Sequence, residues 1–195
     1  MQMTDPALAA SGLSAGNRAS VRHHPSLKFT DRSVYQFKPM ASATTFPSSS
    51  AAERDAQQTA EFVRDGMLRN DRASRALGME VTAIGPGTAT VTMTVRDDML
   101  NGHDICHGGL MTTLCDSAFA FACNAYNELT VASGFAIDIV APARLGDVLT
   151  ARCTEQAKAG RTGVYDVELS NQRGERLALF RGRSYTVRGK PAVAG

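Results

Sequence analysis

The chain has 195 residues, 43% hydrophobic and 21% charged, with a net charge of +2. It is long enough to bury one sizeable core, and its composition is that of an ordinary globular protein. The near-neutral balance gives no preference for nucleic acid. No apolar run reaches the ~20 uncharged residues of a membrane span, because the longest candidate, Gly108 to Ala125, is cut by Asp116.

Residues 1–52 stand apart. Stretches such as "ASGLSAGNRAS" and "ASATTFPSSSAA" are rich in Ser, Ala, Gly and Thr and poor in aliphatics. Such a segment buries too little apolar surface to offset its ordering entropy, so it reads as a disordered extension. It is mildly basic, but Asp5 and Asp31 run against the acid-poor pattern of a transit peptide, and no compact apolar region marks a signal peptide. Met40 opens "MASATTF" and reads as an alternative start. The folded domain is expected over 53–188, with a short tail at 189–195.

From Ala52 the pattern turns helical, with Ala56, Ala60, Val63 and Met67 at three- and four-residue spacing. "RASRALG" follows as a short helical turn or loop. Two strands come next, "MEVTAIG" and "TATVTMTV", around the turn signal Gly85-Pro86-Gly87. In the second, Ala89, Val91, Met93 and Val95 alternate with threonines, the period of a half-buried strand. A Gly-rich turn then leads into a run apolar on nearly every side, expected as a ~30 Å helix over Gly108 to Asn127 and, by its composition, a buried one. Four strands complete the chain: Val131–Ala141, Asp147–Gln156, Thr162–Asn171 and Arg176–Val187, divided by "ARLGD", "KAGR" and "NQRGE". One apolar helix with a six-stranded antiparallel sheet wrapped around it is an α+β architecture. Its edge strands invite pairing with another subunit.

Two features carry chemistry. Asp116 lies about two turns inside the long helix, too deep for a cap or a dipole partner. Leu110, Leu114, Phe119, Ala120 and Ala122 around it suggest no polar stripe. A carboxylate is costly to bury, and burial raises its pKa, which suits a general base near neutral pH. A salt bridge across a subunit interface is the other reading. The second feature is His107-Gly108-Gly109 at the helix start. Unpaired backbone N–H groups there, approached closely past glycine, form a ready oxyanion site for acyl transfer. Read alone, Gly-Gly is also a plain tight turn. Gly108 and Asp116 are ~12 Å apart along the helix, too far to share one substrate atom within a chain; two copies of the chain resolve this. Asn101 and His103 shape the same loop.

Other groupings are weaker. His103, Cys106, His107 and Cys115 match no standard zinc spacing, and adjacent residues such as Cys106 and His107 seldom face each other as a nucleophilic pair. The four cysteines, Cys106, Cys115, Cys123 and Cys153, form no CxxC pair and read as small buried thiols of a reducing, cytoplasmic compartment. Arg144, Lys158, Arg161, Arg181 and Arg183 make either a solvated face or contacts to the phosphates of a bulky ligand.

"NGHDICHGGLMTTLCDSAFAFACNAY", followed by "IDIVAPARLGD" and "AGRTGVYDVELSNQRGE", resembles the hotdog-fold acyl-CoA thioesterases of the phenylacetic acid degradation (PaaI-like) group, over roughly Gln57 to Val187. The resemblance implies a hotdog fold, active sites at a dimer interface, and a dimer of dimers. It implies that Gly108 donates the oxyanion N–H, that Asp116 of the partner chain is nucleophile or general base, and that Asn101 and His107 orient the thioester carbonyl. Gly109, Ser117 and Arg161 are then substrate-binding positions, Arg161 near the CoA nucleotide. The implied substrates are aromatic acyl-CoAs such as hydroxylated phenylacetyl-CoA, with no cofactor or metal and no nucleic-acid or membrane partner. Cys115 stands where the family often has a small apolar residue. Two other functions share these residues: hydration or dehydration of acyl thioesters by His107 with Asp116, and acyl-CoA sensing without catalysis.

Overall fold

The structure, a computed structural model, describes Ser49–Ala194; the greater part of the expected extension, residues 1–48, lies outside the described residues. Helix α1 (Ser49–Asn70) begins slightly ahead of Ala52 and buries Ala60 and Val63. "RASRAL" becomes α2 (Arg72–Leu77), capped by Asp71, which accepts from the Ser74 amide at 2.9 Å. The strands are β1 (Glu80–Gly85), β2 (Thr88–Thr94), β3 (Thr130–Ile139), β4 (Val148–Ala159), β5 (Thr162–Ser170) and β6 (Arg176–Thr186), with α3 (Gly108–Asn124) between β2 and β3. Each expected strand is present, with no end moved by more than three residues.

The six strands form one antiparallel sheet in the order β1-β2-β4-β5-β6-β3. α3 connects β2 to the far edge and so crosses the face of the sheet, packing on β2, β4, β5, β6 and β3. This crossing makes the helix the centre of the core. Met111, Leu114, Cys115, Ala118, Phe119 and Phe121 are all buried. The contact is close because β6 has Gly182 where Phe119 lies: a Cβ there would sit 3.0 Å from the ring. Phe119 packs between Tyr165 and Phe180, with ring centroids 5.3 and 6.0 Å away. All four cysteines are buried free thiols, and burial pushes Cys115 and Cys123 up to about 12.

Two expectations about α3 need correction. It ends at Asn124, not Asn127, because the Asn124 side chain bonds both backbone groups of Thr130 at 2.9 Å and turns the chain into β3. Nor is it enclosed on all sides. Gly109 is exposed and Thr112, Thr113, Asp116, Ser117 and Ala120 are half-buried, a stripe at helical spacing. Glycine, threonine and alanine hid that stripe in the sequence by being small.

The two sheet edges differ. α1 packs on β1, and Gln57 Nε2 donates to Ile84 O at 2.8 Å. Among the described residues nothing pairs with the outer edge of β3, where Val131 is 46%, Phe135 44% and Ile139 46% exposed.

Candidate active site

The site begins with the loop before α3. His107 N–H donates to Met99 O and Cys106 N–H to Ala143 O, both at 2.9 Å, which fixes the entry to the helix. The Ala143 segment is itself pinned by the buried Asp147, whose carboxylate accepts from the Arg144 amide at 2.8 Å and from Arg173 at 2.9 Å. Asn101 Oδ1 accepts from the His103 amide at 2.9 Å in an Asx turn. That uses its carbonyl and leaves the Nδ2 donors for a ligand.

His107 is the N-cap of α3. Its Nδ1 accepts from the Gly109 amide at 3.0 Å. A ring nitrogen that accepts carries no proton, so the neutral imidazole holds its proton on Nε2, and that N–H is the free donor. The amides of Leu110 and Met111 turn back to His107 O. Of the helix-start amides, that of Gly108 is left for a ligand. A Cβ on Gly108 would lie 2.9 Å from Ile139 Cδ1, so glycine lets β3 close against the helix start. Thr112 and Thr113 hydroxyls donate back to Gly108 O and Gly109 O at 2.9 and 2.8 Å.

Asp116 lies two turns further along the open stripe. Burial raises its carboxyl above the ordinary carboxylate value, and no charge or hydrogen bond among the described residues offsets this. Ser117 is half-buried beside it. Gly108 to Asp116 remains ~12 Å of helical rise, so one chain does not bring them together. The stripe residues Thr112 and Thr113 were not singled out from sequence; their spacing of four and three residues from Asp116 was the available signal.

Arg161 lies elsewhere. It is in the β4–β5 turn beside Thr186, whose carbonyl accepts from Arg161 Nε at 3.0 Å. Thr186 pairs with Thr130 at the start of β3, whereas Gly108 lies against Ile139 at its end. Nine residues of strand, roughly 30 Å, separate those positions. Of the other cations, Arg181 is held by both oxygens of Asp166 at 2.6 and 2.7 Å, and Lys158 by Glu128 at 2.7 Å. Among the described residues no three His, Cys, Asp or Glu side chains are grouped to hold a metal ion.

A helix crossing the face of a six-stranded antiparallel sheet that wraps it is a hotdog fold. Comparison with known proteins agrees. The thioesterase superfamily profile matches residues 103–178. The acyl-coenzyme A thioesterase PaaI of Escherichia coli is 46% identical over 123 residues, 63% of this chain and 88% of that protein. The structure of the E. coli PaaI protein, from the phenylacetic acid degradation operon, superimposes with a TM-score of 0.68 at 42% identity, over 69% of this chain and 98% of that one. A Streptococcus mutans protein bound to acetyl-CoA matches with a TM-score of 0.54 at 25% identity, over 56% and 88%. The chain belongs to the thioesterase superfamily, and within it to the PaaI-like acyl-CoA thioesterases.

Proposed function

We propose that the protein hydrolyses aromatic acyl-CoA thioesters, phenylacetyl-CoA and its hydroxylated forms foremost, to the free acid and CoA. The observation that carries this reading is Asp116, a half-buried carboxylate with no hydrogen-bond or ion-pair partner among the described residues, on the open stripe of a core helix. The exposed β3 edge beside that stripe supports pairing with a second copy. Antiparallel pairing of two β3 edges brings opposite ends of the strands together, so each helix start meets the other chain's helix. One site then takes Asn101, His107 and Gly108 from one chain and Asp116 from its partner, and a dimer of such dimers, in the cytoplasm, completes the reading.

In that site the thioester oxygen accepts from the Gly108 N–H, with His107 Nε2–H and Asn101 Nδ2–H as further donors. These donors are strongest when the oxygen gains charge. Asp116 takes the proton of an attacking water, the C–S bond breaks, and the thiolate recovers that proton as free CoA. Or Asp116 attacks the carbon itself, expels the thiolate and forms an acyl-aspartyl anhydride, which water then hydrolyses to the free acid, supplying the proton of the thiol. The aromatic preference is supported by Phe135, exposed on β3 and stacked on Phe180 with centroids 5.0 Å apart.

Thiol release over a panel of acyl-CoAs, with the wild type and D116N, tests this. Fastest release is expected from arylacetyl-CoAs, and D116N is expected to lower kcat by ~10²- to 10⁴-fold. Equal rates for the two proteins remove Asp116 from the mechanism. Loss of an enoyl chromophore without thiol release would make the enzyme a hydratase.

A further inference from the structure

The β3–β4 and β5–β6 turns are joined by a buried charge. Asp147, at the end of the first turn, is 3% exposed. Its Oδ2 accepts from the Arg144 N–H at 2.8 Å. Its Oδ1 accepts from two residues of the second turn, Arg173 Nη1 at 2.9 Å and Gln172 Nε2 at 3.1 Å. Burial by itself would raise the Asp147 carboxyl, but these bonds hold it below the ordinary carboxylate value. The second turn is organised around the cation. Asn171 Oδ1 accepts from the amides of Arg173 and Glu175 at 3.0 and 3.1 Å, and Glu175 accepts from Arg173 Nη2 at 3.0 Å. The guanidinium is thus fixed between two acids, although half of its side-chain surface is exposed.

Desolvation offsets much of the attraction in a buried pair, so stability alone is a weak reason for one. The geometry gives this pair another use. The Arg144 N–H and the Ala143 C=O belong to one planar peptide unit. Asp147 holds the N–H, and the C=O accepts from the Cys106 N–H at 2.9 Å. Cys106 leads directly into His107 and Gly108. The charge on Asp147 therefore orients a peptide, and that peptide holds the loop from which α3 starts. A charge-assisted bond at one end of the peptide also strengthens its carbonyl as an acceptor at the other.

We infer that Asp147 and Arg173 are positioning residues for the oxyanion donors at the start of α3, acting through the Ala143–Arg144 peptide. The inference rests on the thioesterase reading above. Among the described residues neither side chain bonds to Asn101, His107 or Gly108; the effect passes through the backbone. Oxyanion donors act over a narrow range, ~2.7–3.1 Å from the developing charge. A displacement of ~1 Å set up far from the chemistry lowers a rate by ~10²-fold. Loosening the peptide is therefore expected to fall on kcat.

The test starts from R173Q, which changes the exposed member of the pair and spares the core. In thiol release from an acyl-CoA its kcat is expected to fall roughly 10- to 100-fold with KM little changed, the mark of an interaction lost in the transition state. R173K keeps a charge beside Asp147 and is expected to recover most of that loss. D147N sets an amide donor against either the Arg144 N–H or the donors of Gln172 and Arg173, and is expected to fall at least as far. Adding R173Q to D147N is expected to lower kcat little further, because the two residues act as one unit. A spectroscopic reading separates positioning from stability. His107 Nδ1 accepts from the Gly109 N–H at 3.0 Å, so the NMR signals of its ring nitrogens report that contact, and they are expected to shift in R173Q. R176Q breaks an exposed pair beside the same turn, Arg176–Glu168 at 2.8 Å, and is expected to leave kcat and the His107 signals as in the wild type. A lower melting temperature in R173Q with kcat and the His107 signals unchanged overturns the proposal. So does a rise in KM at constant kcat, or an R176Q loss equal to that of R173Q. If D147N does not fold, R173Q and R173K decide the matter alone. If the wild type cleaves no thioester, the thioesterase reading fails by itself. The His107 signals then decide the positioning: a shift in R173Q sustains it, and no shift ends it.

Discussion

In its first turns α3 leaves Gly109, Thr112, Thr113 and Asp116 along a half-open stripe; in its last turns Phe121, Ala122, Cys123 and Asn124 are all buried. The same helix therefore meets two environments. Toward its C-terminus, polar groups are matched within the chain, as when Asn124 satisfies both Thr130 backbone groups and also donates to Ala120 O. Toward its N-terminus, the Gly108 amide, His107 Nε2 and the Asp116 carboxylate have no partner among the described residues. A buried half can be rigid because every group in it has a partner. An open half can do chemistry because some groups in it do not.

Substitutions can break that contrast. The largest expected effect is D116N on turnover, about 2.7 to 5.4 kcal/mol of barrier for a 10²- to 10⁴-fold loss, with the fold intact by circular dichroism. A D116N protein that unfolds would place Asp116 with the structural half. Phe119→Ala is expected to cost ~3–5 kcal/mol of stability, read as a lower urea midpoint, because it empties the space between Tyr165 and Phe180. Asn124→Leu leaves the Thr130 amide and carbonyl unpaired and is expected to cost ~1–3 kcal/mol by the same measurement. Thr112→Val removes only a hydroxyl bonded back to Gly108 O and is expected to stay within ~0.5 kcal/mol.

Asp116 also predicts a pH dependence. Its folded-state value lies above the ordinary carboxylate value, so between those two values the native state binds more protons than the unfolded one. Its contribution to stability is therefore lost as pH rises through that window. Thermal melts of D116N and wild type should coincide at low pH and separate toward neutral pH, with D116N the more stable. The acid limb of kcat/KM should fall above the ~4 of an unperturbed carboxylate. A limb at or below that value would mean that Asp116 is solvated at work.

Much of this was legible in the sequence. The threonine alternation placed β2, and Gly85-Pro86-Gly87 became a tight turn with Gly87 at φ +67°. His-Gly-Gly before an apolar run marked the start of α3, and an acid in that run marked the candidate base. What the sequence hid was direction. Exposed edge strands were expected without saying which; among the described residues β3 is a bare edge, because α3 carries the chain across the sheet before β3 forms. How far Arg161 stands from Gly108 was also hidden: the two lie toward opposite ends of β3.

Periodicity and turn chemistry act between residues a few positions apart, so the sequence by itself determined the elements, their order and the residues able to do chemistry. Strand neighbours, the uncovered edge, and the pairing of Asp147 with Arg173 depend on residues far apart in the chain. Only tertiary packing sets those distances, because the crossing of one helix over the sheet decides which ends meet.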